Sequence, residues 1–257
     1  MSAPRSIARR IVLRLDPARS GDGALGLAAR MAGAFHAELA ARLISDTRIA
    51  AALAFPAFST PTLGRGHSIE VHLRRAEISL RRTISTLAEH EKAAWSFEVV
   101  SCPGVLAREC SMTSDDLVAI ELSRLETSIF DLRDEVAGAL AHARGVLLFP
   151  SKTPASSGPV AALVADRAQA KGLIAQSEKI AAALGVPLRI LEHNGRSPAG
   201  TKNAERQETG DTATAIRRLG AILAVVDAAD PLADKLLARP RYLRELGTPL
   251  LLLKSAA

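Results

Sequence analysis

Few residues in this sequence carry types and spacings that could do chemistry. The six histidines, His36, His67, His72, His90, His142 and His193, form neither H-x-x-x-H nor H-E-x-x-H. Two imidazoles a helical turn apart are what such motifs offer a zinc ion, so no metal is expected. Cys102 and Cys110 are too few for a four-ligand zinc site or a disulfide framework. They flank Pro103-Gly104 and a short predicted helix, and read as small buried hydrophobes. Redox sensing there would need a lowered thiol pKa. No G-x-S-x-G elbow and no nucleophile–base arrangement stands out. The expectation is a protein that is not an enzyme.

Three constellations remain. Gly21-Asp22-Gly23-Ala24-Leu25-Gly26 is a literal G-x-G-x-x-G, with Asp46 further on where a ribose-binding acid could stand. A dinucleotide motif needs its first glycine directly after the strand. Here Asp16-Pro17-Ala18-Arg19-Ser20 intervene, so the glycines read as a flexible loop ahead of a helix. Asp16 and Asp166 each end an apolar run, where open α/β sheets place ligands. A cap on the following loop is the plainer reading of each, yet they are the best cofactor-site candidates. The third constellation is Arg74, Arg75, Ile78, Arg81 and Arg82, with Arg74/Arg81 and Arg75/Arg82 forming two rows of a helix at ~100° per residue. Such a face suits an acidic partner or nucleic acid. Glu70, Glu77, Glu89 and Glu91 dilute it, and no aromatic residues interleave for base stacking. A solvated helix face is the favoured reading.

These residues sit in a chain of 257 residues with 33 Lys+Arg, 27 Asp+Glu and 3% aromatics. Its globular composition excludes a disordered or fibrous chain, and its core must be built from Ala, Leu, Val and Ile. No apolar run approaches the ~20 residues of a spanning helix. The basic opening, residues 1–10, is followed by neither an apolar h-region nor a cleavage site, so a cytoplasmic protein with reduced thiols is expected. Strands are predicted at 11–15, 39–44, 96–100, 117–120 and 145–149. Between them come an alanine-rich helix from Gly23, an irregular stretch over 46–68, and helices at 69–94, 105–112 and 131–142. Residues 151–159, polar and rich in Pro, Gly and Ser, mark a linker. The pattern then restarts: strands at 160–165, 187–191, 222–226 and 249–253, an edge segment near 205–208, and helices at 169–184, 212–219 and 231–246. Alternating strands and helices mean an α/β chain with doubly wound parallel sheets. Residues 1–150 read as one domain. Residues 160–257 read as a shorter one lacking a counterpart of the long second helix.

This order resembles a tandem pair of universal stress protein domains, with the adenine nucleotide α-hydrolase-like fold. The resemblance rests on Ile11 to Asp16 and Ala161 to Asp166, each before an alanine-rich helix, and on Ala37-Glu38-Leu39 and Val186-Pro187-Leu188. It rests further on Gly210-Asp211-Thr212-Ala213-Thr214-Ala215-Ile216, and on Val136 to His142 leading into Gly145-Val146-Leu147-Leu148. It implies pairing of the domains through their last strands, within one chain or as a homodimer. Nucleotide-binding members carry G-x2-G-x9-G-[ST] after the fourth strand, where bare backbone approaches phosphates. Here residues 121–131 contain no glycine but hold Glu121, Glu126 and Asp131; residues 227–232 contain none but hold Asp227 and Asp230. Like charge disfavours a triphosphate by roughly 1 kcal/mol or more per close pair. The sequence therefore predicts degenerate nucleotide pockets, no cofactor, and a stress-response role through protein or small-ligand contacts. The competing reading is an ATP-binding regulator or weak ATPase using Asp16 or Asp166, with Arg124 offsetting the carboxylates.

Overall fold

The computed structural model describes residues 7–15, 22–46, 65–102, 112–122, 132–150, 157–164, 167–192, 212–238, 243 and 246–254. Its strands are β1 (Arg10–Leu15), β2 (Glu38–Asp46), β3 (Trp95–Cys102), β4 (Asp116–Glu121), β5 (Gly145–Phe149), β6 (Val160–Val164), β7 (Leu188–Glu192), β8 (Leu223–Asp227) and β9 (Leu250–Leu253). The helices are α1 (Asp22–Phe35), α2 (Arg65–His90), α3 (Leu132–His142), α4 (Arg167–Leu184), α5 (Thr212–Leu219) and α6 (Pro231–Leu237). One nine-stranded sheet runs β3-β2-β1-β4-β5-β9-β8-β6-β7. The α/β, doubly wound class expected from the sequence is the class observed.

Short runs of Val, Ile, Leu and Ala form the central strands because both faces of the sheet are covered, leaving no position for a polar alternation. On one face α1, α2 and α4 pack Leu25, Met31, Phe35, Ile84 and Ile180 onto Leu13, Leu39, Leu147 and Val225. On the other, α3, α5 and α6 pack Val136, Ile216 and Leu232 onto Val118, Ile120, Val146 and Val226. With so few aromatics, close packing comes from small side chains: Ala28, Ala29 and Ala32 are fully buried beneath α1.

Every neighbouring pair of strands is parallel except one. β5 and β9 run antiparallel, with Gly145 opposite Leu253 and Leu148 opposite Leu250. Gly145 is needed at this seam, since a Cβ there would lie 2.6 Å from the Leu252 carbonyl oxygen and 3.0 Å from Leu117 and Leu253 side-chain carbons.

The two sides of the seam share a register. Ile11 pairs with Leu39 and Leu117, and Val160 pairs with Leu188 and Leu223. The first helix on each side closes on a left-handed residue, His36 at φ 52° and Gly185 at φ 67°. Following residues bond back alike, Ala37 N–H to the Ala32 carbonyl at 2.9 Å and Val186 N–H to the Ala181 carbonyl at 3.0 Å. Val160, Gly185 and Leu188 each stand 149 positions after Ile11, His36 and Leu39. In the fourth strands, Glu121 corresponds to Asp227 by the same ladder.

Several boundaries depart from expectation. α1 begins at Asp22, so Gly23 and Gly26 lie inside its first turns, not in a loop before it; their Ala and Leu neighbours carry the helix past a cost of about 1 kcal/mol per glycine. It stops at Phe35 because His36 turns left-handed. α2 starts at Arg65, inside the stretch read as irregular, and ends at His90, short of Ala94, with Lys92 at φ 55°. Asp116 both closes the turn, its N–H donating to the Thr113 carbonyl at 2.9 Å, and opens β4, its charge met across the sheet by Arg10. α6 ends at Leu237 with Ala238 as its cap, short of the expected Leu246, and Leu243 and Leu246 are helical again. The helix expected at 105–112, apart from Met112, and the edge segment near 205–208 lie outside the described residues.

Candidate functional site

Open α/β sheets bind ligands beyond the carboxyl ends of their strands, where the strand order reverses. That point lies between β1 and β4 on one side of the seam and between β6 and β8 on the other. Because β5 and β9 are antiparallel, the two points lie on opposite rims of the sheet. Asp16, Asp166 and Arg124 all lie outside the described residues.

At the first rim, β4 ends in Glu121, partly buried and paired with Phe149, followed by buried Leu122. Below it Arg14 is only 6% exposed on the face opposite Leu13 and Leu15, and its Nη1 lies 3.3 Å from Glu135 Oε1 on α3. At the foot of the same strands Arg10 grips Asp116 with two bonds, Nε to Oδ1 at 3.1 Å and Nη2 to Oδ2 at 2.6 Å. The Thr113 N–H also donates to Oδ2 at 2.8 Å. Complete burial of Asp116 works to raise its carboxyl pKa. The bonds from Arg10 and Thr113 outweigh that and hold it below the usual carboxylate range. Arg10 is raised in return, chiefly by its bond to Asp116.

At the second rim the geometry is closed by carboxylates. Asp227, 1% exposed, ends β8, and its Oδ1 accepts the Ala229 N–H at 2.9 Å. Asp230 caps α6, its Oδ1 accepting the Leu232 N–H at 2.8 Å while its own N–H reaches the Asp227 carbonyl at 3.0 Å. The chain passes from strand to helix through Ala228, Ala229 and Asp230 alone. Two backbone donors of this turn, the Ala229 and Leu232 N–H groups, are thus held by the protein's own carboxylates.

The arginine face lies elsewhere, on α2. Arg74, Arg75, Arg81 and Arg82 are exposed, and Ile78 is 63% exposed. Arg81 lies 3.9 Å from Glu77 and stacks 5.0 Å over the Phe97 ring of β3. Among the described residues no group of three His, Cys, Asp or Glu could hold a metal, and no helix is long and apolar enough to cross a membrane.

By sequence, no family model and no curated protein matches the chain. By structure, it is similar to a universal stress protein from Archaeoglobus fulgidus DSM 4304, with a TM-score of 0.59 and 13% identity over 96% of each chain. It is also similar to a functionally unknown protein from Pseudomonas aeruginosa PAO1, with a TM-score of 0.54 and 16% identity over 96% of this chain and 93% of that one. A candidate universal stress protein from Pseudomonas aeruginosa UCBPP-PA14 gives a TM-score of 0.54 and 17% identity over the same shares, 96% and 93%. The chain has the universal stress protein fold.

Within this universal stress fold, three residues that the sequence did not mark out take part in buried ion pairs: Arg14, Glu135 and the Arg10 partner Asp116. The signal for the first was available. An arginine inside Ile11-Val12-Leu13-Arg14-Leu15 must be buried with its neighbours, and a buried cation needs a partner. The partner's identity was not, because Glu135 is 121 positions away.

Proposed function

We propose that this chain is a tandem pair of universal-stress-like units with degenerate nucleotide pockets, acting as a non-catalytic binding protein in a stress response. The observation that carries the reading is the turn after β8, where Asp227 and Asp230 occupy the Ala229 and Leu232 N–H groups. A triphosphate there would have to displace two carboxylates and then sit beside them. Glu121 stands at the corresponding end of β4. The shared register on the two sides of the seam supports the tandem origin. The β5–β9 pairing supports internal association of the two units, since the apolar last strands cover one another within the chain.

Calorimetric titration of the full chain with ATP and Mg²⁺ tests the reading. No heat of binding is expected up to about millimolar nucleotide, a binding free energy no more favourable than about −4 kcal/mol. Micromolar binding that Asp16→Ala or Arg124→Ala abolishes would instead establish the nucleotide-responsive regulator.

A further inference from the structure

The last strands on the two sides of the seam already pair with each other, β5 with β9. The sheet therefore ends at β3 on one side and at β7 on the other, and among the described residues no strand pairs with either outer edge. An edge strand presents a row of open backbone donors and acceptors; shortness and charge are two devices that discourage pairing there. β7 has both, being five residues long with Arg189 and Glu192 among them. β3 has neither. It runs eight residues with Glu98 as its one charged side chain, and that carboxylate is met by Arg42 at 3.5 Å.

The bonds to β2 fix which backbone groups of β3 are open. The Leu39 N–H donates to the Ala94 carbonyl at 2.8 Å, and Leu39 stands opposite Trp95 in the parallel register. Successive strand residues turn their N–H and C=O to opposite sides, so those of Ala94, Ser96 and Glu98 face β2 and those of Trp95, Phe97 and Val99 face outward. The side chains of these three share one face of the sheet. Trp95 and Phe97 pack partly buried against the core there, while Val99 is 41% exposed. A second copy of β3, laid antiparallel with the two-fold axis at Phe97, complements this edge. Trp95 then faces the partner's Val99, Phe97 faces the partner's Phe97, and roughly six hydrogen bonds close the open groups of all three residues. Glu98 faces the partner's Ser96. An axis at Glu98 would instead set two carboxylates directly opposite, which is destabilising. An axis at Ser96 would leave Val99 against an alanine. The Phe97 axis also brings together two Arg81 side chains, each 5.0 Å over its Phe97 ring, along with two Glu77, each 3.9 Å from its Arg81, so the charges arrive balanced.

We infer that β3 is a self-pairing edge: two copies of this chain join antiparallel through residues 95–99 about a two-fold axis at Phe97, and one sheet continues across both. A ladder of this length buries less than the roughly 1,200 Å² at which standard interfaces begin, so the dimer is weak and depends on concentration. The inference is independent of whether either rim of the sheet takes a nucleotide.

Sedimentation velocity of the full chain between about 1 and 500 µM should pass from monomer to dimer, with a Kd of roughly tens of micromolar. Trp95 is the chain's single tryptophan. Its emission should move to shorter wavelength over the same concentrations, as the partner's Val99 covers the indole. Val99→Lys, which places a charge on the edge, should weaken the dimer about tenfold or more. Val99→Pro removes an outward N–H, a change that edge strands accommodate, and should weaken it comparably while the thermal melt stays near that of the parent chain. A monomer at every concentration, a dimer indifferent to both substitutions, or a dimer that leaves the Trp95 emission where it was would overturn the assignment.

Discussion

The feet of the two central strand pairs solve one problem by different means. Where β1 meets β4, Arg10 and Asp116 close the end of the sheet with a two-bond ion pair. At the corresponding place beside β6 and β8 stand Pro159 and Ile222, joined by a backbone bond of 3.0 Å from the Ile222 N–H to the Pro159 carbonyl. Next to them Gly158, at φ 144°, lets the chain approach Gly220 so closely that a Cβ would fall 2.0 Å from its carbonyl oxygen. The rims differ in the same sense. The first buries a charge pair, Arg14 with Glu135, whereas the second has Leu163 at the corresponding position and spends its carboxylates on backbone N–H groups. One framework thus tolerates a charged and an apolar closure at corresponding strand ends.

Breaking the charged foot should have the largest effect. Asp116→Ala strands Arg10 and the Thr113 N–H and should cost about 3 kcal/mol in urea unfolding. Arg10→Met combined with Asp116→Leu, which imitates the apolar foot, should recover most of that loss; no recovery would mean that the two feet are not interchangeable. Gly158→Ala attacks the other foot and should cost about 2 kcal/mol, through both its left-handed backbone and the Gly220 contact.

The two feet should also differ in acid. Asp116 is held below its unfolded value of about 3.9, so its contribution is complete above that pH and disappears as pH falls through the lower folded value. Below about pH 4 the native chain should lose stability more steeply than Asp116→Asn, as read by melts across pH. Equal slopes would remove the charge from the account.

The smallest effects should come from exchanging residues between corresponding helices. Ser177, fully buried on α4 with an unpartnered hydroxyl, corresponds to buried Ala28 on α1. Ser177→Ala should raise stability by about 1 kcal/mol by relieving that burial. His36→Gly, which copies Gly185, should add about 0.5 kcal/mol by removing left-handed strain. Destabilisation by either would contradict the correspondence.

Periodicity and punctuation made most elements legible. Pro249 to Leu253 and Gly145 to Phe149 are recognisable as buried strands because nothing in them is polar, and the alanine-rich helices follow from spacing alone. The absence of glycine from residues 121–131 and 227–232 was legible too, since it is a property of the string. Pairs distant along the chain were not. Arg10 and Asp116 lie 106 positions apart, and no local pattern joins them.

The sequence by itself determined most of the strands and helices, where charge gathers on α2, and that residues 121–131 and 227–232 hold no glycine, because these depend on residue type and near neighbours. Only the tertiary structure decided that β5 and β9 meet antiparallel and that the two rims consequently face opposite ways. Those facts depend on how elements dozens of residues apart bury their apolar faces together, which no window of sequence contains.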